Sequence, residues 1–261
     1  PGMAQIKVGF IGSQGSAQSE LEKKQCLSLL ARYPDIRISF ITNNEILKKP
    51  SHLAQYDVLW IQRSDTAAFT AEEVNPKLLK SLNEWILNGG KVLLNQESFG
   101  YITLLGLETN LPERRNKACT DDGYGRKLGF HAFREHPVFA GLNGGAYIQR
   151  PVTDTTVRII GYFGNNLPAN GRVIAVDWDY IFLREESKLV LEYGSGTGKV
   201  IAVGGYLSFS MPNLNDQHLA LFTAGTIRYL AGKSTGIEEN YWYYGPYTVT
   251  GCPPKEQNTD R

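Results

Sequence analysis

Cysteine and histidine, which often bind metals or serve as nucleophile and base, are scarce: the 261 residues include three cysteines and four histidines. The cysteines form no metal-spaced motif and are too few for a dense disulfide framework. Cys26 lies in a predicted helix and is expected in the core, and a disulfide between Cys119 and Cys252 is one alternative for two cysteines in loop-like sequence. We predict no metal site and no cofactor. The redox compartment stays open, with a periplasmic or extracellular location slightly favoured over a cytoplasmic one.

An excess of charge of either sign is also missing. Lysine and arginine number 27 against 26 aspartate and glutamate residues, so the formal net charge is +1, and no basic cluster suggests nucleic acid or an anionic membrane as a partner. No run of about 18 apolar residues predicts a membrane span, and the first residues, PGMAQIKV, lack a signal-peptide pattern. With 42% hydrophobic residues, the chain can bury the core of one large domain or two small ones. The oligomeric state stays open.

The sequence does contain a well-marked strand and helix after residue 56. Asp57 to Gln62 includes VLWI, an apolar run typical of a parallel strand covered on both faces. Thr70 and Glu73 form a predicted capping box at the start of a helix, and apolar residues then repeat at helical spacing until Asn88-Gly89-Gly90. The next apolar run therefore predicts a parallel neighbour reached by a right-handed crossover.

That neighbour is the strand Lys91 to Asn95, and polar residues follow both strands. Arg63, Ser64 and Asp65 come after the first strand, and Asn95 to Ser98 come after the second. Ligands of parallel sheets usually bind at the carboxyl ends of the strands. We therefore expect the functional site at this edge.

The amino-terminal segment predicts a further strand, helix and strand. Ile6 to Ile11 runs into the turn GSQGS, followed by a helix at about Glu20 to Tyr33 and a strand from Ile36 to Ile41. The glycines do not make the G-x-G-x-x-G fingerprint, and no acidic residue ends the second strand. A dinucleotide site is therefore not predicted.

The second half of the chain predicts shorter strands. Residues 106 to 135 are polar and predict a surface insertion that forms a lid or rim. Closely spaced strand-like runs separated by turn residues then predict antiparallel hairpins at one edge of the sheet; they lie at Val157 to Phe163, Arg172 to Asp179 and Lys188 to Tyr193. Glu192 to Gly205 looks like a phosphate loop, but its glycine spacing is short by one residue and a strand follows, so a hairpin turn is predicted. A final helix covers Asp216 to Ala231.

The order of these elements resembles the class I glutamine amidotransferase-like superfamily, and more closely its trehalose-utilisation (ThuA-like) branch, across roughly residues 5 to 232. The landmarks are Tyr56-Asp57-Val58, Asn88-Gly89-Gly90 before a strand and elbow, His136-Pro137 with Gly141-Leu142, Tyr193-Gly194 leading to Gly198-Lys199-Val200, and Leu230-Ala231-Gly232. The resemblance implies a three-layer α/β fold, flavodoxin-like or class I amidotransferase-like, with a doubly wound, mostly parallel sheet and an antiparallel edge extension. The implied domain covers residues 4–232. Residues 233–261 form an aromatic, Gly- and Pro-containing tail, either a strap or a linker to a further domain.

The chain departs from this family at its chemical positions. Amidotransferases carry a nucleophilic cysteine at the elbow after the strand, and a histidine can act as its base. ThuA-like members often show a histidine at the elbow and another in a Gly-His pair after the last strand. The matching places here are Asn95 to Glu97 and Gly205-Tyr206, which contain neither residue type. A glutamine amidotransferase activity is therefore not expected.

Glu97 is the remaining candidate for a catalytic residue. A carboxylate on a rigid elbow at the carboxyl edge of the sheet can act as a general base or accept a sugar hydroxyl; the alternative is a structural carboxylate bonded to nearby amides. The predicted ligand-binding residues surround it at the strand ends; they are Arg63, Asp65, Asn95, Gln96, Ser98 and Tyr206.

Two weaker candidates lie elsewhere. Asp177 and Asp179 share one face of a predicted strand, where paired acids can support glycoside hydrolysis, although a solvated face is the more common reason for such a pair. His131 and His136 are five residues apart, and His136 is expected to fix the turn of the His-Pro landmark rather than bind a metal. His52 and His218 have no ligand-spaced partner.

Two hypotheses for function follow. The first is a degenerate, non-catalytic ThuA-like module that serves carbohydrate binding or domain organisation inside a larger bacterial saccharide-processing protein. The second is a hydrolase or lyase acting on sugars or keto-sugar derivatives, with Glu97 as acid or base. A saccharide ligand and a carboxyl-terminal domain of the same polypeptide are the expected partners.

Overall fold

The computed structural model describes residues 5–13, 17–118, 130–132, 136–142, 145–146, 156–177, 187–205, 207 and 216–233. The helices are α1 (Ala17–Leu30), α2 (Asn43–Lys48), α3 (Pro76–Leu87), α4 (Tyr101–Leu104) and α5 (Asp216–Leu230). The strands are β1 (Ile6–Ile11), β2 (Ile36–Phe40), β3 (Val58–Arg63), β4 (Lys91–Gln96), β5 (Glu113–Ala118), β6 (Phe130–Ala132), β7 (Gly145–Ala146), β8 (Thr156–Gly161), β9 (Arg172–Asp177), β10 (Lys188–Ser195) and β11 (Gly198–Val203).

The parallel half of the main sheet runs in the order β2, β1, β3, β4, β11. β3 and β4 are neighbours, with Trp60 opposite Leu93 and α3 crossing between the two strands, as the sequence predicts. Side chains alternate between the faces of a strand, so Trp60 and Leu93 pack on the side of α1 and α5, whereas Leu59 and Val92 pack on the side of α3. The result is the predicted three-layer α/β fold.

The start of α3 differs from the prediction. Thr70 and Glu73 do form the reciprocal hydrogen bonds of a capping box, but these bonds close a turn over residues 71–74. The helix begins at Pro76, with the Asn75 side chain accepting from the Lys77 amide as its N-cap. Proline lacks an amide hydrogen and has its φ already fixed, so it suits the first turn of a helix, and this second signal sets the boundary.

The antiparallel edge extension is confirmed. After β11 the sheet continues through β10, β9, β6 and β7, with each of these pairs antiparallel. The segment that looks like a phosphate loop is the hairpin between β10 and β11, with Ser195 opposite Gly198 and Gly196 at φ +57°. Positive φ is readily adopted by glycine, so Gly196 suits the turn of this hairpin, which the sequence predicts.

A small second sheet replaces part of the predicted surface insertion. Residues 113–118 form β5, which pairs antiparallel with β8 and places Asn116 opposite Arg158. β8 was expected to extend the main sheet; it instead belongs to this two-stranded sheet. It crosses the carboxyl end of β11, where the Ile160 amide donates to the Gly204 carbonyl at 2.7 Å. This junction places β5 and β8 beside the predicted site.

Some predictions concern other parts of the chain. Cys26 is buried, as predicted. Cys119, Cys252 and residues 234–261 lie outside the described residues, so the disulfide and the domain boundary after residue 232 stay predictions. Within the described ranges, no helix combines the length and the apolar character needed to cross a membrane.

Candidate functional site

The turn after β4 contains a strained backbone conformation. Gln96 has φ 57° and ψ −127° and is, among the described non-glycine residues, the one with positive φ. A 3-10 helix, Glu97–Gly100, follows directly. Such conformations cost about 1–3 kcal/mol and concentrate at functional sites, and a strained strand-to-helix elbow is the position where α/β hydrolases hold their nucleophile. Gln96 therefore occupies the tip of the elbow, within the predicted segment Asn95 to Glu97.

The elbow is surrounded by buried amide side chains. The side-chain oxygen of Gln96, Oε1, accepts hydrogen bonds from Gln62 Nε2 and Ser64 Oγ, both at 2.6 Å. Gln62 in turn accepts from Asn95 Nδ2 at 2.6 Å, and both amides donate to the Leu207 carbonyl at 3.2 Å. Asn95 is fully buried, and its Oδ1 has no hydrogen-bond partner in the described part of the chain. The amide cluster thus contains an unused acceptor inside the fold.

Glu22 of α1 connects to this cluster through a serine. Its carboxylate accepts from the Ser13 amide at 3.3 Å and contacts the Ser64 hydroxyl. Burial raises the pKa of Glu22, and the hydrogen bonds from Ser64 and Ser13 offset only part of that effect. In its protonated form, Glu22 can donate to Ser64 Oγ while Ser64 donates to Gln96. A carboxylic acid, a hydroxyl and an amide therefore form a continuous chain to the elbow.

Glu97 is buried and lies between two arginines. Arg114 Nε donates to Oε2 at 2.7 Å, and Arg158 Nε is 2.9 Å from Oε1. Both carboxylate oxygens are therefore engaged, one by each guanidinium group. Arg114 belongs to β5 and Arg158 to β8, so the small sheet supplies the positive charge that neutralises the predicted acid–base residue.

Three of the predicted ligand-binding residues are engaged by the protein itself. Arg63 is 3% exposed; it donates to Glu73 at 2.9 Å, and its remaining hydrogen bonds go to the backbone carbonyls of residues 65, 67 and 68. Asp65 accepts from the Ala67 amide at 2.9 Å. Ser98 is fully buried and bonds to the Ile61 carbonyl and the Asn95 backbone. These three side chains therefore hold the loops at the strand ends in place. Tyr206, another predicted ligand-binding residue, lies outside the described residues.

A second buried carboxylate, Glu192, lies away from the elbow. It accepts from Tyr229, contacts Arg172, and lies 3.2 Å from Lys199 Nζ and 3.6 Å from His136 Nε2. Burial raises the pKa of Glu192, but the nearby His136 and the contacts with Tyr229 and Arg172 lower it further, so it lies below its ordinary value. The cluster is a neutralised carboxylate in the core between β10 and α5, with a structural role.

The weaker sequence candidates are dispersed. Asp177 pairs with Lys117, whereas residue 179 lies outside the described residues. His136 Nδ1 accepts from the Val138 amide and caps the short helix Pro137–Phe139, as the landmark predicts. Among the described residues, no group of three histidine, cysteine, aspartate or glutamate side chains is arranged to hold a metal ion.

The strain at Gln96 can be measured by comparing two substitutions. Gln96→Gly and Gln96→Ala both remove the side-chain hydrogen bonds, but only glycine relieves the positive φ. We expect Gln96→Gly to be more stable than Gln96→Ala by about 1–2 kcal/mol in urea unfolding. Alanine is normally the more stable of the two at ordinary φ values, so an alanine variant as stable as the glycine variant would show that the elbow is relaxed.

Sequence analysis missed the residues that join the site from a distance. Glu22 lies on the buried face of α1 with Cys26 and Leu30, four and eight residues later. An acid on an apolar helix face was a signal that could have identified it. Arg114 and Arg158 gave no such signal, because their closeness depends on the pairing of β5 with β8.

Comparisons with known proteins support the fold. No family model matches the chain, and no curated protein matches it. PurLQS from Thermotoga maritima matches with a TM-score of 0.52 at 11% identity, covering 87% of this chain and 99% of that one. The exo-beta-1,4-mannosidase Op5Man5 from Opitutaceae bacterium strain TAV5 matches at TM-score 0.49 and 15% identity, over 87% of this chain and 36% of that one. The similarity to PurLQS shows that this chain has a class I glutamine amidotransferase-like fold. A sequence identity of 11% says nothing about the activity of this chain.

Proposed function

We propose that the chain is a non-catalytic, ThuA-like module that binds a saccharide at the Gln96 elbow, within a larger bacterial saccharide-processing protein. The observation that carries this proposal is the chemistry of the elbow. Its tip is an amide, Gln96, bonded to a second amide, Gln62, and to the Ser64 hydroxyl. Amides and hydroxyls both donate and accept hydrogen bonds, as the hydroxyl groups of a sugar require.

Preorganisation supports binding as the role of this site. The Gln96 backbone is held in a strained conformation, and the neighbouring amides of Gln62 and Asn95 are buried and hydrogen-bonded to one another. Side chains fixed in this way lose little conformational entropy when a ligand binds. Asn95 is fully buried, so its amide supports Gln62 and the elbow from inside the fold rather than contacting a ligand.

The alternative is an enzyme acting on sugars or keto-sugar derivatives with Glu97 as acid or base. A general base must lie within hydrogen-bonding reach of the proton that it removes. Both Glu97 oxygens are occupied by arginine Nε groups, and the side chain is about 5% exposed. This arrangement favours binding over acid–base chemistry at Glu97.

Isothermal titration calorimetry against neutral and acidic mono- and disaccharides tests the proposal. We expect a saccharide to bind and Gln96→Ala to weaken that binding about tenfold or more, because one or two ligand hydrogen bonds are lost. Gln55→Ala is the matched control: Gln55 is exposed and ends a 3-10 helix before β3, at the opposite edge of the sheet. Binding to this variant should equal that of the wild type.

Product analysis with the same saccharides separates binding from catalysis. The proposal predicts that every saccharide is recovered unchanged after incubation with the protein. Turnover that is present in the wild type and absent from a folded Glu97→Gln variant would establish the enzyme instead. Failure of the whole panel to bind would refute a saccharide site at the elbow.

A further inference from the structure

The two arginines that hold Glu97 are neighbours on one face of the small sheet. Arg114 is opposite Ile160, and Arg158 is opposite Asn116. Side chains two residues apart on a strand point to the same face, so Arg114 and Arg158 are diagonal neighbours across the pair. Arg115 points to the other face, where its guanidinium group lies over the Phe163 ring at 4.3 Å.

Both arginines contact Glu97 through Nε, which leaves the outer ends of their guanidinium groups unused. Within the described residues, the terminal nitrogens of Arg114 and Arg158 donate no hydrogen bond. The side chains are 41% and 39% exposed. Each guanidinium therefore presents terminal N–H donors outward while its inner edge is fixed by a buried carboxylate.

The charges of this group do not cancel. Two arginines and one glutamate carry a net charge of +1, and the negative charge is at the buried end. Glu97 directly follows Gln96, so the carboxylate that holds both guanidinium groups belongs to the residue next to the elbow tip. Adjacent arginine forks match the geometry of carboxylate and phosphate oxygens.

We propose that Arg114 and Arg158 form an oxyanion clamp that binds a carboxylate or phosphate group of the ligand, and that Glu97 is a positioning residue that holds both guanidinium groups in place. This inference rests on the proposed function for the sugar part of the ligand, which the elbow amides would contact. It adds the substrate class, an acidic saccharide such as a uronate or a sugar phosphate. Binding of the acidic group depends on the two arginines and not on the elbow amides.

Calorimetry with four probes tests the clamp: D-glucuronate, D-glucose 6-phosphate, D-glucose and inorganic phosphate. We expect an acidic sugar to bind at least about tenfold more tightly than glucose, and its affinity to fall with rising salt concentration. A preference for glucuronate identifies a carboxylate as the bound group, and a preference for glucose 6-phosphate identifies a phosphate.

Three variants identify the residues responsible. Arg114→Gln and Arg158→Lys should each weaken binding of the acidic sugar about tenfold or more. The lysine variant keeps the positive charge beside Glu97 and loses only the guanidinium fork. Weaker binding by this variant therefore reports the lost fork rather than a folding defect. Arg115→Gln is the control, since this arginine lies on the same strand, faces the other way and is similarly exposed, at 46%. It should bind like the wild type.

The outcomes separate this inference from the proposed function. Equal affinity for glucose and the acidic sugars, unaffected by either arginine variant, overturns the clamp and leaves the saccharide site standing. Binding of inorganic phosphate that needs both arginines, without binding of any sugar, supports the clamp and refutes the saccharide site. Absence of binding by all four probes refutes the clamp, whereas the saccharide site is refuted only if the whole panel of mono- and disaccharides also fails to bind.

Discussion

Replacing Glu108 by glutamine is expected to lower the free energy of unfolding by about 3 kcal/mol or more. The Glu108 side chain is buried and accepts hydrogen bonds from five backbone amides at 2.8–3.2 Å; the donors are Thr109, Asn110, Ala169, Asn170 and Gly171. A glutamine keeps one oxygen and turns an NH2 group toward amides that are themselves donors. Each buried donor left without an acceptor costs about 1–3 kcal/mol. Urea unfolding followed by circular dichroism measures the difference.

The effect of Glu108 depends on pH. Burial raises the pKa of Glu108, but the amides of Asn170, Asn110, Ala169 and Gly171 lower it further, so it lies below the ordinary value of 4.5. A carboxyl whose pKa is lowered on folding contributes stability that is fully present above its unfolded pKa. That contribution is lost as the pH falls through the folded pKa. The difference in free energy of unfolding between wild type and Glu108→Gln should therefore be constant near neutral pH. It should shrink as the pH falls below the ordinary glutamate pKa of 4.5.

Glu84→Gln provides the control for this experiment. Glu84 is 62% exposed on α3 and lies 3.8 Å from Lys80, a surface pair that contributes less than about 1 kcal/mol. We expect little change in stability at any pH. A Glu108→Gln variant as stable as this control would show that the loop of residues 169–171 does not depend on the carboxylate.

Replacing Gly204 by alanine is expected to destabilise the protein by about 3 kcal/mol or more. A Cβ atom at this position would lie 1.6 Å from the Ile160 carbonyl oxygen and 2.7 Å from its carbon. The obstacle is backbone, which cannot rotate away as a side chain would, so β8 must move off the end of β11. Thermal and urea unfolding measure the loss. Because Arg158 is two residues from Ile160 on β8, folded Gly204→Ala protein should also bind acidic saccharides more weakly.

Gly194→Ala is the matched control, since Gly194 lies in β10, whose hairpin partner β11 ends just before Gly204. A Cβ atom there would meet no heavy atom within 4 Å. Its stability should stay within about 0.5 kcal/mol of the wild type. A Gly204→Ala variant that behaves in the same way would show that β8 is free to shift without loss.

The fold was largely predictable because its central strands contain continuous apolar runs. The run VLWI predicts a strand buried on both faces, and β3 has this character along its whole length. Boundaries were less predictable where two local signals compete. Thr70 and Asn75 are both good capping residues, and the proline after Asn75 decides between them in the folded chain.

The position of the elbow in the sequence was predictable, but the side chains that surround it were not. Strand ends in the sequence indicated the elbow, whereas the choice of Gln96 as its tip depends on a backbone dihedral angle that only the folded chain determines. The environment of Glu97 depends on Arg158, 61 positions away, and on the register between β5 and β8. Pairing at such sequence distances leaves no local pattern.

The junction between the two sheets has a further consequence for dynamics. The amide proton of Ile160 is bonded to the Gly204 carbonyl, so it can exchange with solvent deuterium only when β8 separates from the end of β11. The elbow amides lie on the main sheet and the arginines on the small one. The exchange rate of this one amide therefore reports, without any added probe, how often the two halves of the site move apart.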